Sequence, residues 1–498
     1  MIVNKSMFPV QTGFSAITNM SQRLSTLQVQ MGTGEKASSL AELGSGRSLS
    51  LSVRSRQASI EGYTNTVGTV QLRLSVLDSV ISRMDKIESE TRTSATPANY
   101  GTGDVNLGTT PKLSRARLDE VVTLLNSDVN GRYLFAGSDT EQKPVATIDK
   151  LLDGDGTKAG FRTVAAERKA ADLGADGKGR LETFISHAEV TLAEDGLHPF
   201  GMKLSTVSTN SDAVSLTAPA GTPAALSVEF TAQPIEGESV TMGFTLPDGS
   251  TGSISLKAVT GTAGKGEFSI GATEEDTAAA FAGALDTSIR AFTSTTLDAA
   301  SAFAAADMFF PGPGETAMRV AGPPYNNSTA LVAATPADTV QWYGGTTSSD
   351  PRSSVTARVE DGTVVSYGVE ANEEGLSELV RTLAVMSIAN FPSADETSHA
   401  RFDAMANRQM VRIGENHNSE DSSLEMIGAQ LGMAQATTAQ SAERHRVYGA
   451  QMSNLLANVE QVSKEDVAME MLALQTRLQA SYQITASLSQ LSLVNYIK

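Results

Sequence analysis

Apolar residues recur at steps of three and four positions near the N-terminal end of the chain. This spacing is typical of a helix that packs lengthwise against another helix. The longest run is Val67, Val70, Leu74, Leu77, Ile81 and Met84. A shorter run begins earlier, with Leu24, Leu27 and Met31. The pattern predicts long helices here, then a loop rich in Pro and Gly at residues 91–111, and a further helix over residues 114–129.

The C-terminal end has the same character. Residues 395–498 contain no proline, and apolar residues again recur at helical spacing. They are Met452, Leu455, Val459 and Val462, then Val467, Met471, Leu474 and Leu478, and finally Tyr482, Leu488, Leu491 and Val494. Because each terminal region carries an apolar stripe that must be covered, we expect the two regions to cover each other in one bundle.

The middle of the chain, about residues 137–371, is richer in Gly, Thr and Pro. A helix is predicted at residues 274–292, with Thr273 as its N-cap and Asp276 completing a capping box. Alternating polar and apolar residues predict strands at residues 225–231, 239–246 and 252–259. The centre of the chain is therefore expected to be rich in β-structure.

The predicted fold class is α + β and multidomain. An elongated α-helical bundle or coiled coil is built from both termini, and β-rich domains are inserted between its halves. The expected bundle core is Val70, Leu74, Leu77, Ile81, Met84, Met452, Leu455 and Val459. The expected domains are the N-terminal half of the helical core (1–140), a middle α+β domain (141–189 and 309–372), an inserted outer β-rich domain (190–308) and the C-terminal half of the helical core (373–498).

Charge and composition limit the possible partners. The chain has a formal net charge of −18, which would repel a phosphate backbone, so we expect no nucleic-acid partner. No stretch reaches the ~18 apolar residues of a membrane span, so no membrane partner is expected. The first 13 residues lack an apolar run of signal-peptide length, so if the protein is extracellular we expect it to leave by a route that cleaves no apolar leader. There is no cysteine, so no disulfide can form.

No catalytic, cofactor or metal motif is expected to function here. The five histidines form neither an HxxxH nor an HExxH pair, and each is interpreted as a surface or loop residue. The segment 153–156 resembles the start of a calcium loop but lacks the distal Glu, and Gly264-Lys265-Gly266 lacks the rest of a phosphate loop. Trp342 and Tyr343 are interpreted as anchors of a small core. The sequence thus predicts a protein that is not an enzyme.

Four passages together resemble the flagellin superfamily, and within it the hook–filament junction proteins of the bacterial flagellum. The first two lie in the N-terminal half, at residues 27–34 and in Asn130-Gly131-Arg132-Tyr133-Leu134-Phe135-Ala136-Gly137-Ser138. The third is Gln341-Trp342-Tyr343-Gly344-Gly345 together with residues 367–373. The fourth is residues 472–498, which include Leu478-Gln479-Ala480-Ser481-Tyr482.

The resemblance implies a structural subunit that is exported unfolded by the flagellar type III system and assembles helically on the extracellular flagellum. The implied partners are hook-associated protein 1 on the hook side, flagellin on the filament side, further copies of the chain in a helical ring, and a cytoplasmic export chaperone. The residues expected to form the assembly and chaperone interface are Leu24, Leu27, Met31, Leu474, Leu478, Tyr482, Leu488 and Leu491.

Two other functions stay open on the sequence. The chain also fits flagellin proper, the bulk filament subunit, because both share the terminal bundle. A third possibility is an extracellular adhesive or glycan-binding protein, in which the β-rich insertion would bind and the helices would form a stalk.

Overall fold

The computed structural model describes the backbone of residues 8–496 and the side chains of residues 11–487. The chain divides into two compact units. The first comprises Met1–Gln71, Arg358–Val364 and Thr437–Lys498, and the second comprises Leu72–Ala357 and Val365–Ala436. The two ends of the chain therefore share one unit, as the paired apolar stripes predict. Among the described residues, no helix is long and apolar enough to cross a membrane.

Eleven α-helices are present in the described part of the chain. They are α1 (Phe8–Thr33), α2 (Arg47–Ser94), α3 (Val105–Leu125), α4 (Ile148–Asp153), α5 (Phe161–Leu173), α6 (Glu274–Phe292), α7 (Asp298–Phe309), α8 (Glu374–Ile388), α9 (Ser398–Arg412), α10 (Leu424–Glu460) and α11 (Lys464–Tyr496). The longest helices come from the two ends of the sequence, so the fold is mixed α and β with long terminal helices.

Fourteen strands lie between the terminal helices in the described residues. They are β1 (Asp128–Val129), β2 (Arg132–Tyr133), β3 (Leu181–Ser186), β4 (Glu189–Glu194), β5 (Lys203–Thr209), β6 (Val214–Ala220), β7 (Ala225–Phe230), β8 (Ser239–Thr245), β9 (Thr251–Val259), β10 (Glu267–Ser269), β11 (Met318–Val320), β12 (Leu331–Ala333), β13 (Thr356–Glu360) and β14 (Thr363–Ser366). Two four-stranded sheets have the orders β3-β4-β7-β6 and β10-β9-β8-β5, and the other three sheets are two-stranded pairs.

In the first unit, α1 and α11 run antiparallel. Arg23 forms a two-pronged ion pair with Glu470, and at the far end of the pair Val462 N–H donates to the Gly34 carbonyl at 2.9 Å. Helix α1 ends and helix α11 begins at this same level. Gly34 accommodates the break because its φ of +77° is a conformation that glycine adopts without strain.

The second unit holds the main β core. Both four-stranded sheets and α6 contribute to a single cluster of buried side chains. Three phenylalanines meet at its centre, where the Phe281 ring lies 5.5 Å from Phe230 and 5.2 Å from Phe268 between ring centroids. Each of the three is almost fully buried. We expect this cluster to contribute a large share of the stability of the second unit.

The structure reproduces the elements predicted for residues 225–292. The three predicted strands correspond to β7, β8 and β9, and the predicted helix to α6. Thr273 accepts from the Asp276 backbone N–H while the Asp276 side chain accepts from Thr273, so the capping box is present. Trp342 is buried and donates its indole N–H to the Pro311 carbonyl at 3.3 Å, as expected of a core anchor.

The helix predicted from residue 114 begins earlier than expected. Helix α3 starts at Val105 and contains Pro111, which the sequence pattern predicts to lie in the preceding loop. Proline removes one helical hydrogen bond here, but its fixed φ is compatible with the helix. Leu107 and Thr110 are almost fully buried beside it, so packing of the first two turns of α3 offsets the lost hydrogen bond.

The passage 130–138 forms a tight hairpin followed by a pairing with a distant segment. Asn130 and Gly131 have φ values of +57° and +75°, as the two central residues of a type I′ hairpin turn require, and they connect β1 to β2. The chain then pairs with residues 369–371, since Gly137 N–H donates to the Val369 carbonyl at 3.2 Å and Ala371 N–H to the Phe135 carbonyl at 2.9 Å. Two of the passages that carry the family resemblance thus bind each other.

Glu88 on α2 is a carboxylate with little access to water. Burial, together with the nearby Glu425 and Asp85, raises its pKa to about 7, although Arg92, whose guanidinium donates to it at 3.1 Å, opposes this shift. A carboxyl with a raised folded-state pKa contributes stability that is fully present below pH 4.5, its unfolded value. That contribution is lost as the pH rises from about 4.5 to about 7.

We therefore expect Glu88→Gln to stabilise the protein at pH 8 by about 1–3 kcal/mol and to have little effect at pH 4.5. The amide keeps an acceptor for Arg92 but carries no charge. Urea unfolding at the two pH values measures the difference. Glu61→Gln, at an exposed position on the same helix, is the control and should change nothing. If Glu88→Gln changed the stability equally at both pH values, the change would arise from packing and not from the charge, and the prediction would be wrong.

Candidate assembly surface on the terminal helices

The facing sides of α1 and α11 bury a row of apolar residues. The Arg23–Glu470 pair sets the antiparallel register, which brings Leu27 to the level of Val467 and Ile17 to the level of Leu478. All four are buried in the single chain. The contact between the first and last helices is therefore a packed interface inside the subunit.

The residues predicted for the assembly and chaperone interface fall into three groups. Leu27 and Leu478 are buried between the helices, and Tyr482 is 56% exposed. Three others, Leu24, Met31 and Leu474, are half-buried at the edges of the packed row. Leu488 and Leu491 lie outside the residues whose side chains the structure describes. The role of these residues in assembly stays a prediction.

Helix α11 carries a second apolar face that the sequence analysis missed. Met469, Leu472 and Ile484 are 63%, 62% and 61% exposed, and helical spacing places Met469 and Leu472 away from the buried Val467 and Leu478. The small residues Ala473 and Ala480 lie between them on this side. No charged residue occurs from 478 to 487. The signal in the sequence was this uncharged stretch, together with Met469 and Leu472 outside the predicted apolar stripe.

A helix that is apolar on two opposite sides is normally buried on both. In one copy of the chain, α1 covers only one side of α11. Full burial of a Leu, Ile or Met side chain contributes roughly 1.5–3 kcal/mol. Burial of the three exposed residues by a neighbouring molecule would therefore stabilise an assembly by several kcal/mol. The geometry favours a protein that associates along α11.

A polar clasp joins the end of α10 to the start of α2 and to the segment that follows α1. The Glu460 carboxylate binds the Arg54 guanidinium, with nitrogen–oxygen distances of 2.9 and 2.6 Å, and accepts a hydrogen bond from Ser50. These hydrogen bonds hold the pKa of Glu460 below its usual value. Beside it, Lys36 N–H donates to the Glu460 carbonyl at 2.7 Å. The clasp fixes the two helical breaks at one level.

The predicted bundle core is buried to different degrees along its length. Val70, Leu74, Leu77, Ile81 and Met84 are all almost fully buried. In contrast, Met452, Leu455 and Val459 at the end of α10 are half-buried. In the first unit, α10 packs beside the start of α2, as the 3.4 Å approach of Val459 to the Cβ position of Gly46 indicates. These three residues are only half-buried because two packed helices cover less of each other's surface than the helices of a larger bundle do.

His445 is buried, which corrects its interpretation as a surface or loop residue. It lies within α10, where its Nε2 is 2.6 Å from the Val359 carbonyl and its ring stacks on Tyr63 with centroids 5.6 Å apart. The neighbouring Arg444 binds Glu360 at 2.6 Å. These contacts hold the tip of the β13–β14 hairpin, residues 358–364, on the bundle of the first unit.

Buried carboxylates elsewhere have structural partners. In the second unit, Glu373 binds the Arg352 guanidinium, and Glu370 accepts from the Ser348 backbone N–H at 3.1 Å. Burial raises the pKa of both carboxyls. Across the described residues, no group of three or more His, Asp or Glu side chains is arranged to hold a metal ion. The carboxylates fasten the segment 348–352 to the residues that pair with the 130–138 passage.

Comparison with known families places these helices. Residues 6–140 match the family model of the bacterial flagellin N-terminal helical region. For these residues, the resemblance to the flagellin superfamily predicted from the sequence is confirmed. The matched region includes α1, which packs against α11, together with α2, α3 and the β1–β2 hairpin.

Among solved structures, the chain is similar to the crystal structure of flagellar hook-associated protein 3 from Legionella pneumophila. The similarity covers 82% of this chain and 98% of that chain, at 13% sequence identity and a TM-score of 0.28. No curated protein matches the chain.

Proposed function

We propose that the protein is a structural subunit of the bacterial flagellum and serves as the junction between hook and filament. The observation that carries this proposal is the pair formed by α1 and α11, in which α11 keeps a second apolar face open in the single copy. A flagellin-type N-terminal region supports assembly through the same helices. Neighbouring subunits would cover Met469, Leu472 and Ile484 and stabilise the array.

The position of the apolar face on α11 supports helical assembly. Each copy offers one uncovered apolar surface on α11, so a ring or helix of identical copies can cover it repeatedly in the same way. The proposed partners are hook-associated protein 1 on the hook side and flagellin on the filament side. The resemblance of residues 130–138 and 472–498 to junction proteins supports this role over that of the bulk filament subunit.

Export before assembly requires that the same surface be protected. We propose that a cytoplasmic export chaperone covers the apolar side of α11 and that the chain leaves unfolded through the flagellar type III system. Leu472 is a chaperone contact that this surface offers, and the exposed Tyr482 is a second one beside the buried Leu478. The absence of cysteine in the chain is compatible with export as an unfolded polypeptide, because no disulfide can form on the way. Its final location would be the extracellular flagellum.

Deletion of the gene tests the junction role. We expect cells without the protein to keep complete hooks, lack filaments and release unassembled flagellin into the medium. The measurements are electron microscopy of isolated hook–basal bodies and immunoblotting of the medium for flagellin. Immunogold labelling of wild-type flagella should give a single band at the filament base.

The other functions predict different outcomes of the same experiment. If the protein is flagellin proper, gold particles decorate the whole filament and the deletion strain releases no other filament subunit. If it is an adhesive protein, the deletion strain keeps normal filaments and loses surface or glycan binding. Complementation with the wild-type chain is the control in both cases, since it must restore the original phenotype.

A further inference from the structure

Strand β3 is an edge strand with apolar side chains open to solvent. Phe184 and Ile185 are 54% and 53% exposed. Because successive side chains of a strand point to opposite faces, these neighbours expose apolar surface on both sides of the sheet edge. Leu181, in the same strand, is almost fully buried, so the strand leaves the covered core as it approaches the hairpin tip. An apolar strand edge of this kind is a template for pairing with another strand.

The other three edges of the two four-stranded sheets carry features that oppose pairing. Strand β6 contains Pro219 and a break in register between Thr217 and Ala220. Strand β5 has a register shift between Leu204 and Thr206, and β10 is only three residues long. In contrast, β3 pairs with β4 in unbroken register over all six residues and contains neither Pro nor Lys. Only β3 among these four described edges is regular, long and unprotected.

The hydrogen-bond pattern shows which backbone groups of β3 point outward. Asp195 N–H donates to the Arg180 carbonyl at 3.1 Å, so the bonded pairs between the two strands fall on the even-numbered residues of β3. The backbone groups of Leu181, Thr183 and Ile185 therefore point away from β4. No backbone partner for these three outward groups is present among residues 8–496.

We propose that β3 pairs antiparallel with the β3 strand of a second copy of this chain, with Thr183 opposite Thr183. A two-fold symmetric antiparallel pair must be centred on one residue, and this centre lets all three outward-facing residues bond across the interface. Arg180 and His187 have φ values of +67° and +55°, which end the extended segment on either side. The partner strand is therefore of the same length, and the pairing would join two four-stranded sheets into one of eight strands.

Side chains are complementary in this register. The Thr183 hydroxyl is buried and has no hydrogen-bond partner in the described structure, and the pairing brings the hydroxyl of a second Thr183 opposite it. Ile185 would lie opposite Leu181 of the other copy, and Phe184 opposite Glu182, whose methylene groups can lie along the ring. No two like charges face each other, although the chain has a net charge of −18.

Disulfide trapping in the full-length chain tests the register, since the natural sequence contains no cysteine. Protein carrying Glu182→Cys is mixed with protein carrying Phe184→Cys under mild oxidation. The register places residue 182 of one copy directly opposite residue 184 of the other. Two cysteines at the same position, one in each copy, are too far apart to form a disulfide. We expect the mixed disulfide to form, and we expect each variant alone to form little disulfide-linked dimer. Equal trapping of all combinations, or preferential trapping of Phe184→Cys with itself, would overturn the proposal.

A second substitution tests whether the apolar edge drives the pairing. Ile185→Lys, added to both cysteine variants, should reduce the rate of mixed disulfide formation about tenfold or more, because it places a charge on the edge. The matched control is Ile235→Lys, at a position 71% exposed outside the strands, which should leave the rate within about twofold. An unchanged rate with Ile185→Lys contradicts the proposal. The trapped bond reports on β3 alone, so its failure would leave assembly through α11 untouched.

Discussion

Replacement of Leu472 by Asp is expected to leave a folded monomer that no longer assembles. The side chain is 62% exposed in the single copy, so the charge stays hydrated and the packing against α1 is unaffected. In an assembly the same carboxylate would be buried without a partner, at a cost of several kcal/mol for every copy. We expect association to weaken by about a thousandfold or more, which corresponds to about 4 kcal/mol.

Circular dichroism and urea unfolding measure whether the Leu472→Asp monomer is intact, and complementation of the deletion strain measures assembly. The matched control is Leu197→Asp, because Leu197 is 70% exposed and lies outside the terminal helices. This control should assemble normally. A Leu472→Asp variant that restores filaments would show that α11 does not use this face, and the proposed mode of assembly would then be wrong.

Phe281→Ala is expected to destabilise the second unit by about 3–5 kcal/mol. The ring is almost fully buried and makes edge-to-face contacts with Phe230 and Phe268, so its loss leaves a cavity between α6 and two sheets. The surrounding strands are held in their ladders and can collapse into this cavity only in part. The midpoint of urea unfolding, followed by a probe within the second unit, measures the loss.

Phe184→Ala is the matched control for this substitution. It removes the same ring from the same region, but from an exposed site on β3. Measured in dilute protein, it should change the free energy of unfolding by no more than about 0.5 kcal/mol. If both substitutions had the same effect, the three-phenylalanine cluster would not be the centre of this core.

Some elements follow from local sequence alone. The Asn130-Gly131 turn forms because these two residues adopt positive φ readily, and the cap of α6 forms because Thr273 and Asp276 satisfy each other's backbone groups. The strands β7, β8 and β9 were readable because one of their faces is buried, so that polar and apolar residues alternate. Each of these signals acts over a few neighbouring residues.

Other elements depend on distant packing and were not predicted. Helix α3 continues through Pro111 because Leu107 is buried against other helices. His445 is buried because the β13–β14 hairpin supplies a carbonyl for its ring. Strands β3 to β6 received no prediction. The four domain boundaries proposed from the sequence stay predictions.

The sequence by itself determined that both ends are helical, that each has an apolar stripe, and that a β-rich region lies between them. Periodicity carries this information because every turn of a helix or pleat of a strand repeats the same side-chain direction. Only the tertiary structure decided which apolar residues are covered. Leu27 and Leu478 are buried while Leu472 is exposed. Their residue types are the same, and the difference arises because α1 can cover only one side of α11.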